Sequence, residues 1–121
     1  MYLSIGGREF SIDSDRNDFE PGDNYTYIFG EGANVREAGR NDPRFPRLDT
    51  DDLERYPVYV RYEQPASNAE EIWCLERVIA TVNPGGEFTA RFDNPRLVGS
   101  SAEGKIWLGQ RYGKAVNLRR V

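Results

Sequence analysis

Residues 1–12 read MYLSIGGREFSI, and this stretch decides the fold class. Leu3, Ile5, Phe10 and Ile12 alternate with their neighbours around Gly6-Gly7. Alternation at a period of two marks a half-buried strand, and a glycine pair supplies the positive φ that a two-residue hairpin turn requires. Pairing the strands across that turn sets Leu3 opposite Phe10 and Met1 opposite Ile12. The apolar residues then share one side, so the turn and the pattern specify the same register.

Outward from the hairpin, residues 13–24 read DSDRNDFEPGDN, a polar segment that turns at Pro21-Gly22. Asp13, Asp15 and Asn17 imitate the start of a calcium loop. Asp18 stands where that loop needs its glycine and Asn24 where it needs a bidentate glutamate, so the segment reads as a solvated acidic loop. Tyr25-Thr26-Tyr27-Ile28-Phe29 has the β-branched and aromatic content of a strand. Residues 30–56 then carry little periodicity and much punctuation: Gly30, Gly32, Gly39, Pro43 and Pro46. A connection of that length inside a compact domain is functional or disordered more often than idle. It holds Arg36, Arg40, Arg44, Arg47 and Arg55, with Phe45 flanked by prolines, which suggests an arm that docks on its own domain or on a neighbour. Within it, 50–54 has room for one helical turn, capped by Thr50 or Asp49.

Pro57 opens a strand, Val58-Tyr59-Val60-Arg61-Tyr62, with Val58, Val60 and Tyr62 on one face. The segment 67–82, SNAEEIWCLERVIATV, has two readings. As a helix it has a cap at Ser67 with Glu70, acidic first-turn residues, and a stripe of Ile72, Leu75, Ile79 and Val82. As a strand it puts Glu76 on one face and Arg77 on the other, so neither face is clean, although the β-branched run at 78–82 suits a strand. The helix is the preferred reading, with its last residues free to be extended. After Pro84-Gly85-Gly86, residues 87–92 alternate with Phe88, Ala90 and Phe92 together. Residues 96–98, 105–108 and 115–118 are further extended stretches, with Val116 and Leu118 on one face. The fold class expected is therefore mainly β within α+β: an antiparallel sandwich or barrel with one flanking helix and a long inserted loop.

Composition bounds the function. With 121 residues there is room for one domain, 1–121, large enough to bury a core without a metal or disulfide staple. No apolar run approaches the roughly 18 residues of a membrane helix, and MYLSIGGREF lacks the pattern of a signal peptide. The chain has no histidine and one cysteine, Cys74. A Ser-His-Asp or Cys-His catalytic unit cannot be built, and neither can a tetrahedral zinc site. The acidic doublets Asp51-Asp52 and Glu70-Glu71 read as charge at helix starts rather than as catalytic pairs. Gly30-x-Gly32 and Gly85-Gly86 lack the spacing and the lysine of a phosphate loop. Trp73 and Trp107 read as core or interface residues, and Cys74, with no flanking base, as inert. An enzyme is the least favoured class, and no cofactor or metal is expected. The net charge of −4 argues against a nucleic-acid-binding surface. Of the 16 basic residues only Lys105 and Lys114 are lysines. Arginine excess with abundant tyrosine suits an interface, and a GC-rich genome gives the same excess; both explanations stay open.

The order of elements resembles the tail-tube fold of bacteriophage tail proteins and, more locally, the small minor tail proteins of long-tailed phages. The residues that carry this are Phe29-Gly30-Glu31-Gly32 followed by Arg36, the strand Tyr56-Pro57-Val58-Tyr59-Val60, the start Asn68-Ala69-Glu70-Glu71, and Gly85-Gly86-Glu87-Phe88. Trp107-Leu108-Gly109 with Ala115-Val116-Asn117 looks like the end of a phage head–tail joining protein. The resemblance implies a virion protein without an active site, made in the host cytoplasm. Such a protein forms a ring with copies of itself, touches neighbouring virion proteins, and stacks around a channel through which DNA passes as cargo. The arm at 30–56 would be the clasp, with Arg36, Arg40, Arg44, Phe45, Arg47 and Arg55 as its interface residues. Two other classes fit the composition: a carbohydrate-binding β-sandwich using Trp73 and Trp107, and a small acidic immunity or inhibitor protein.

Overall fold

The computed structural model describes residues 1–14, 22, 24–63, 72–99, 101 and 103–121. The chain is mainly β and its ladders are antiparallel. It divides into two compact units, Met1–Pro57 and Val58–Val121.

The first unit is built on the hairpin of β1 (Tyr2–Ile5) and β2 (Arg8–Ser11). Leu3 faces Phe10, as the alternation requires, and the Ile12 N–H donates to the Met1 carbonyl at 2.9 Å. Gly6 and Gly7 take φ values of 60° and 83°, the left-handed pair that matches the twist of the strands they join. Both also leave room above the turn. A Cβ on Gly6 would sit 3.0 Å from the Leu48 side chain, and one on Gly7 would sit 3.1 Å from the Tyr56 ring. Ile5 and Phe10 are buried, and the Phe10 ring meets Phe29 at 5.6 Å.

Residues 25–29 do not form the expected strand. Asn34 takes the backbone groups that a strand partner would have used. Its Oδ1 accepts from the Ile28 N–H at 2.7 Å, its Nδ2 donates to the Thr26 carbonyl at 2.8 Å, and its own N–H donates to the Ile28 carbonyl at 3.2 Å. A helical turn is present as α1 (Asp52–Arg55), slightly later than the expected 50–54, and its N-cap is Asp51, with no side-chain capping bond, rather than Thr50 or Asp49. The Asp49 side chain accepts from the Asp51 N–H at 2.9 Å just ahead of it, and Leu53 points inward at 3% exposure.

In the second unit β3 (Val58–Arg61), β8 (Ala115–Arg120), β6 (Ala90–Asp93) and β5 (Ile79–Val82) lie side by side in that order. A separate ribbon pairs β4 (Ile72–Leu75) with β7 (Ile106–Gly109). The β3–β8 register sets Val58 opposite Leu118 and Val60 opposite Val116, and all four are buried. Ala90 and Phe92 continue the apolar face across β6. Tyr62 closes it, edge-on to Trp73 at 5.4 Å. Glu87, Phe88 and Thr89 lie before β6 rather than in it, and Phe88 is exposed.

The preferred helix at 67–82 is corrected over its described part. Residues 72–75 and 79–82 are strands. The break at Glu76, Arg77 and Val78 explains why neither strand face looked clean when 72–82 was treated as one element. Each strand alternates on its own: Ile72 and Cys74 are exposed while Trp73 and Leu75 are half-buried, and Ile79 and Thr81 are exposed while Ala80 and Val82 are half-buried. The β-branched residues win because β6 offers β5 a full ladder. The proposed cap at Ser67 and Glu70, the start at 68–71, and Asp15, Asn17 and Asp18 of the acidic loop lie outside the described residues.

Candidate functional site: the arginine-rich arm

The arm is tied to the hairpin by side chains that accept or donate to backbone. Arg36 donates its N–H to the Asp13 carbonyl at 2.9 Å, and its guanidinium lies 3.7 Å from the Asp13 carboxylate. Asn41, buried, accepts the Ser11 N–H on Oδ1 at 2.8 Å and donates from Nδ2 to the Arg36 and Glu37 carbonyls. That amide satisfies the outer edge of β2 where a further strand would otherwise pair. Arg8, on β2, donates from Nη1 to the carbonyls of Asp42 at 3.1 Å and Pro46 at 2.7 Å. Its guanidinium also sits 4.8 Å from the Phe10 ring centre.

Asp42 organises the tip. Its carboxylate accepts from Arg44 Nε at 3.0 Å and from Arg44 Nη2 at 2.9 Å, a two-pronged contact, and also from the Arg44 N–H at 2.9 Å. The Arg44 side chain, foremost among these contacts, holds the Asp42 carboxyl below its ordinary value of 3.8. The same contact holds the Arg44 guanidinium above its ordinary value. Pro43 follows Asp42, and the Leu48 N–H returns to the Pro43 carbonyl at 2.8 Å, closing the tip as a compact turn. Phe45 stands out of this turn at 71% exposure, with the Arg44 guanidinium 5.7 Å from its ring centre.

The sequence-predicted residues therefore divide. Arg40 pairs with Glu37 at 3.3 Å and Arg55 with Asp52 at 3.2 Å, both along the chain and both exposed. Pairs of that kind contribute little to stability. Arg44 is pinned by Asp42, and Arg36 is turned to Asp13. Arg47 has no carboxylate partner among the described residues, and with Leu48, Asp49 and Thr50 it lines a surface cavity of about 330 Å³. Arg44, Phe45 and Arg47 come together at the tip, where an isolated bridge joins Arg44 to Arg47. Arg36, Arg40 and Arg55 belong to the arm's own bracing.

Arg8, Asn41 and Asp42 position the tip, and the sequence reading did not name them. The triplet Asn41-Asp42-Pro43 was the available signal, since Asn and Asp before Pro initiate turns through their side chains. Among the described residues, no group of three or more Cys, Asp and Glu side chains is placed to hold a metal ion. No described helix is long and apolar enough to cross a membrane. Comparison with protein-family models, with curated proteins and with solved structures gave no match.

Proposed function

We propose that this chain is a non-catalytic structural protein that acts by assembly, using the tip of the 30–56 arm to clasp a neighbouring copy. The observation that carries the reading is Phe45, a large aromatic left 71% exposed on a turn fixed by Arg8, Asn41 and Asp42. Covering a phenylalanine is worth roughly 1.5–3 kcal/mol. The turn is already ordered within its own unit, so a partner that covers Phe45 spends little on immobilising it. Arginine beside an exposed aromatic is also the composition of binding hot spots.

The resemblance to phage tail proteins supplies the setting: a ring in a tail or neck, closed by head-to-tail contacts between copies. The net charge of −4 suits a channel wall along which DNA slides without adhering. On this reading the protein belongs to the virion and its partners are itself and adjoining virion proteins.

Substituting Phe45→Ser tests the clasp directly. Because the ring is exposed, the melting temperature should stay within a degree or two of the parent. Self-association, followed by sedimentation across a concentration series, should weaken about 30-fold, the effect of losing a hot spot of about 2 kcal/mol. Unchanged association in a normally folded variant would remove the arm tip from the interface.

A further inference from the structure

Most of the described arginines are held by a partner, and two whose guanidiniums are not lie against one cavity. That cavity, of about 240 Å³, is lined by Asp93, Asn94, Pro95, Arg96, Asn117 and Arg119. The strand register explains the convergence. Asp93 pairs with Arg119 across β6 and β8, so both project from the same face of the sheet, opposite to the apolar face that buries Phe92 and Leu118. Asn117 is on that face of β8 two residues before Arg119, and Arg91 is on that face of β6 two residues before Asp93. The turn after β6 then brings Arg96 to the rim, its N–H held by the Asn94 side chain at 2.9 Å.

The hydrogen-bond inventory of this cavity is one-sided. Asp93 is spent: Oδ2 accepts from Arg77 Nη2 at 2.8 Å and Oδ1 from the Asn94 N–H at 2.8 Å. The Asn94 amide is spent as well, because its Nδ2 donates to the Asn117 carbonyl at 3.0 Å and its Oδ1 accepts from Arg96. The Arg96 and Arg119 guanidiniums and the Asn117 side chain have no hydrogen-bond or ion-pair partner among the described residues. What remains open is therefore two guanidinium forks and one amide, which offer donors and positive charge. Arg77 neutralises the nearby carboxylate of Asp93, so an incoming anion meets no bare negative charge there.

We propose that this cavity binds a phosphate group, with Arg96 and Arg119 as its counter-charges and Asn117 as a neutral donor. The charge count selects a free or terminal phosphate over a carboxylate: such a phosphate carries between one and two negative charges at neutral pH and faces both guanidiniums, where a carboxylate carries one. The site lies wholly within the second unit and does not depend on the assembly reading.

Titration of the full chain with inorganic phosphate, at ionic strength held constant with chloride and followed by amide NMR, tests the site. Saturable shifts are expected at the amides of Asn94, Arg96, Leu97, Asn117, Leu118 and Arg119. Arg96→Gln and Arg119→Gln, both exposed positions, should each weaken binding tenfold or more while Arg47→Gln leaves it unchanged. Absence of saturation, shifts confined to other residues, or equal weakening by Arg47→Gln would overturn the proposal. Phenyl phosphate, a monoester used at matched concentration, identifies the source of the group. Tighter binding that disappears in the Arg96→Gln/Arg119→Gln double variant assigns the terminal phosphate of a larger ligand to the site. Equal or weaker binding that is lost in the same variant assigns free phosphate. The same shifts at these residues surviving the double substitution would contradict the site.

Discussion

At the scale of single residues, the arm tip rests on one carboxylate. Asp42 is buried, accepts from three donor nitrogens of Arg44 and lends its carbonyl to Arg8. Its carboxyl is held below 3.8, the value it regains on unfolding. A depressed folded value means that the contribution is fully present above about 3.8 and is lost as pH falls through the folded value. Asp42→Asn should therefore lower the melting temperature at neutral pH, and the gap to the parent should close as the medium is acidified below pH 3.8. A gap that persists at pH 2 would place the effect in packing rather than charge. Tyr62 shows the opposite economy. Its ring is buried at 4% exposure, edge-on to Trp73, yet its hydroxyl has no hydrogen-bond partner among the described residues. Removing an unpartnered buried hydroxyl relieves its desolvation cost, so Tyr62→Phe should match the parent or gain up to about 1 kcal/mol in denaturant unfolding. A clear loss would show that the hydroxyl is bonded in solution.

At the scale of elements, the hairpin turn is where backbone and packing requirements coincide. Gly7 has φ of 83°, and a Cβ there would stand 3.1 Å from the Tyr56 ring. Gly7→Ala should cost about 1–3 kcal/mol, measured by chemical denaturation, because it meets both a strained conformation and a ring that must move. Gly32→Ala, also at positive φ but with open space around it, is the control for the backbone share. The hairpin was legible in the sequence because its turn residues and its alternation sit within twelve positions of each other. The single turn α1 and the faces of β3 and β8 were legible for the same reason: each carries its own short pattern. The strands β4 and β5 were not. Their break at Glu76, Arg77 and Val78 is set by partners β7 and β6, distant in sequence, and the same residues also satisfy a helical stripe. Residues 25–29 have strand composition, but Asn34 supplies the hydrogen bonds instead, an effect of one side chain that composition does not carry.

At the scale of the whole molecule, arginines serve three separate ends. Arg8, Arg36 and Arg44 brace the arm, Arg77 holds Asp93, and Arg47, Arg96 and Arg119 remain available to partners. The sequence showed the arginine excess and the length of the arm, so the arm was legible as a candidate. The split between bracing and free arginines was not, because it depends on which carboxylates the fold brings near. The cavity beside Arg96 and Arg119 was invisible for a similar reason: its residues come from two strands and a turn, joined only by register. The measurement that bears most directly on assembly is the mass of the protein by light scattering across a concentration series. A rise from 13.8 kDa to a fixed multiple, with rings in negative-stain images of the heaviest fraction, is the result that assembly predicts. A mass of 13.8 kDa at every concentration, with no rings, would contradict it.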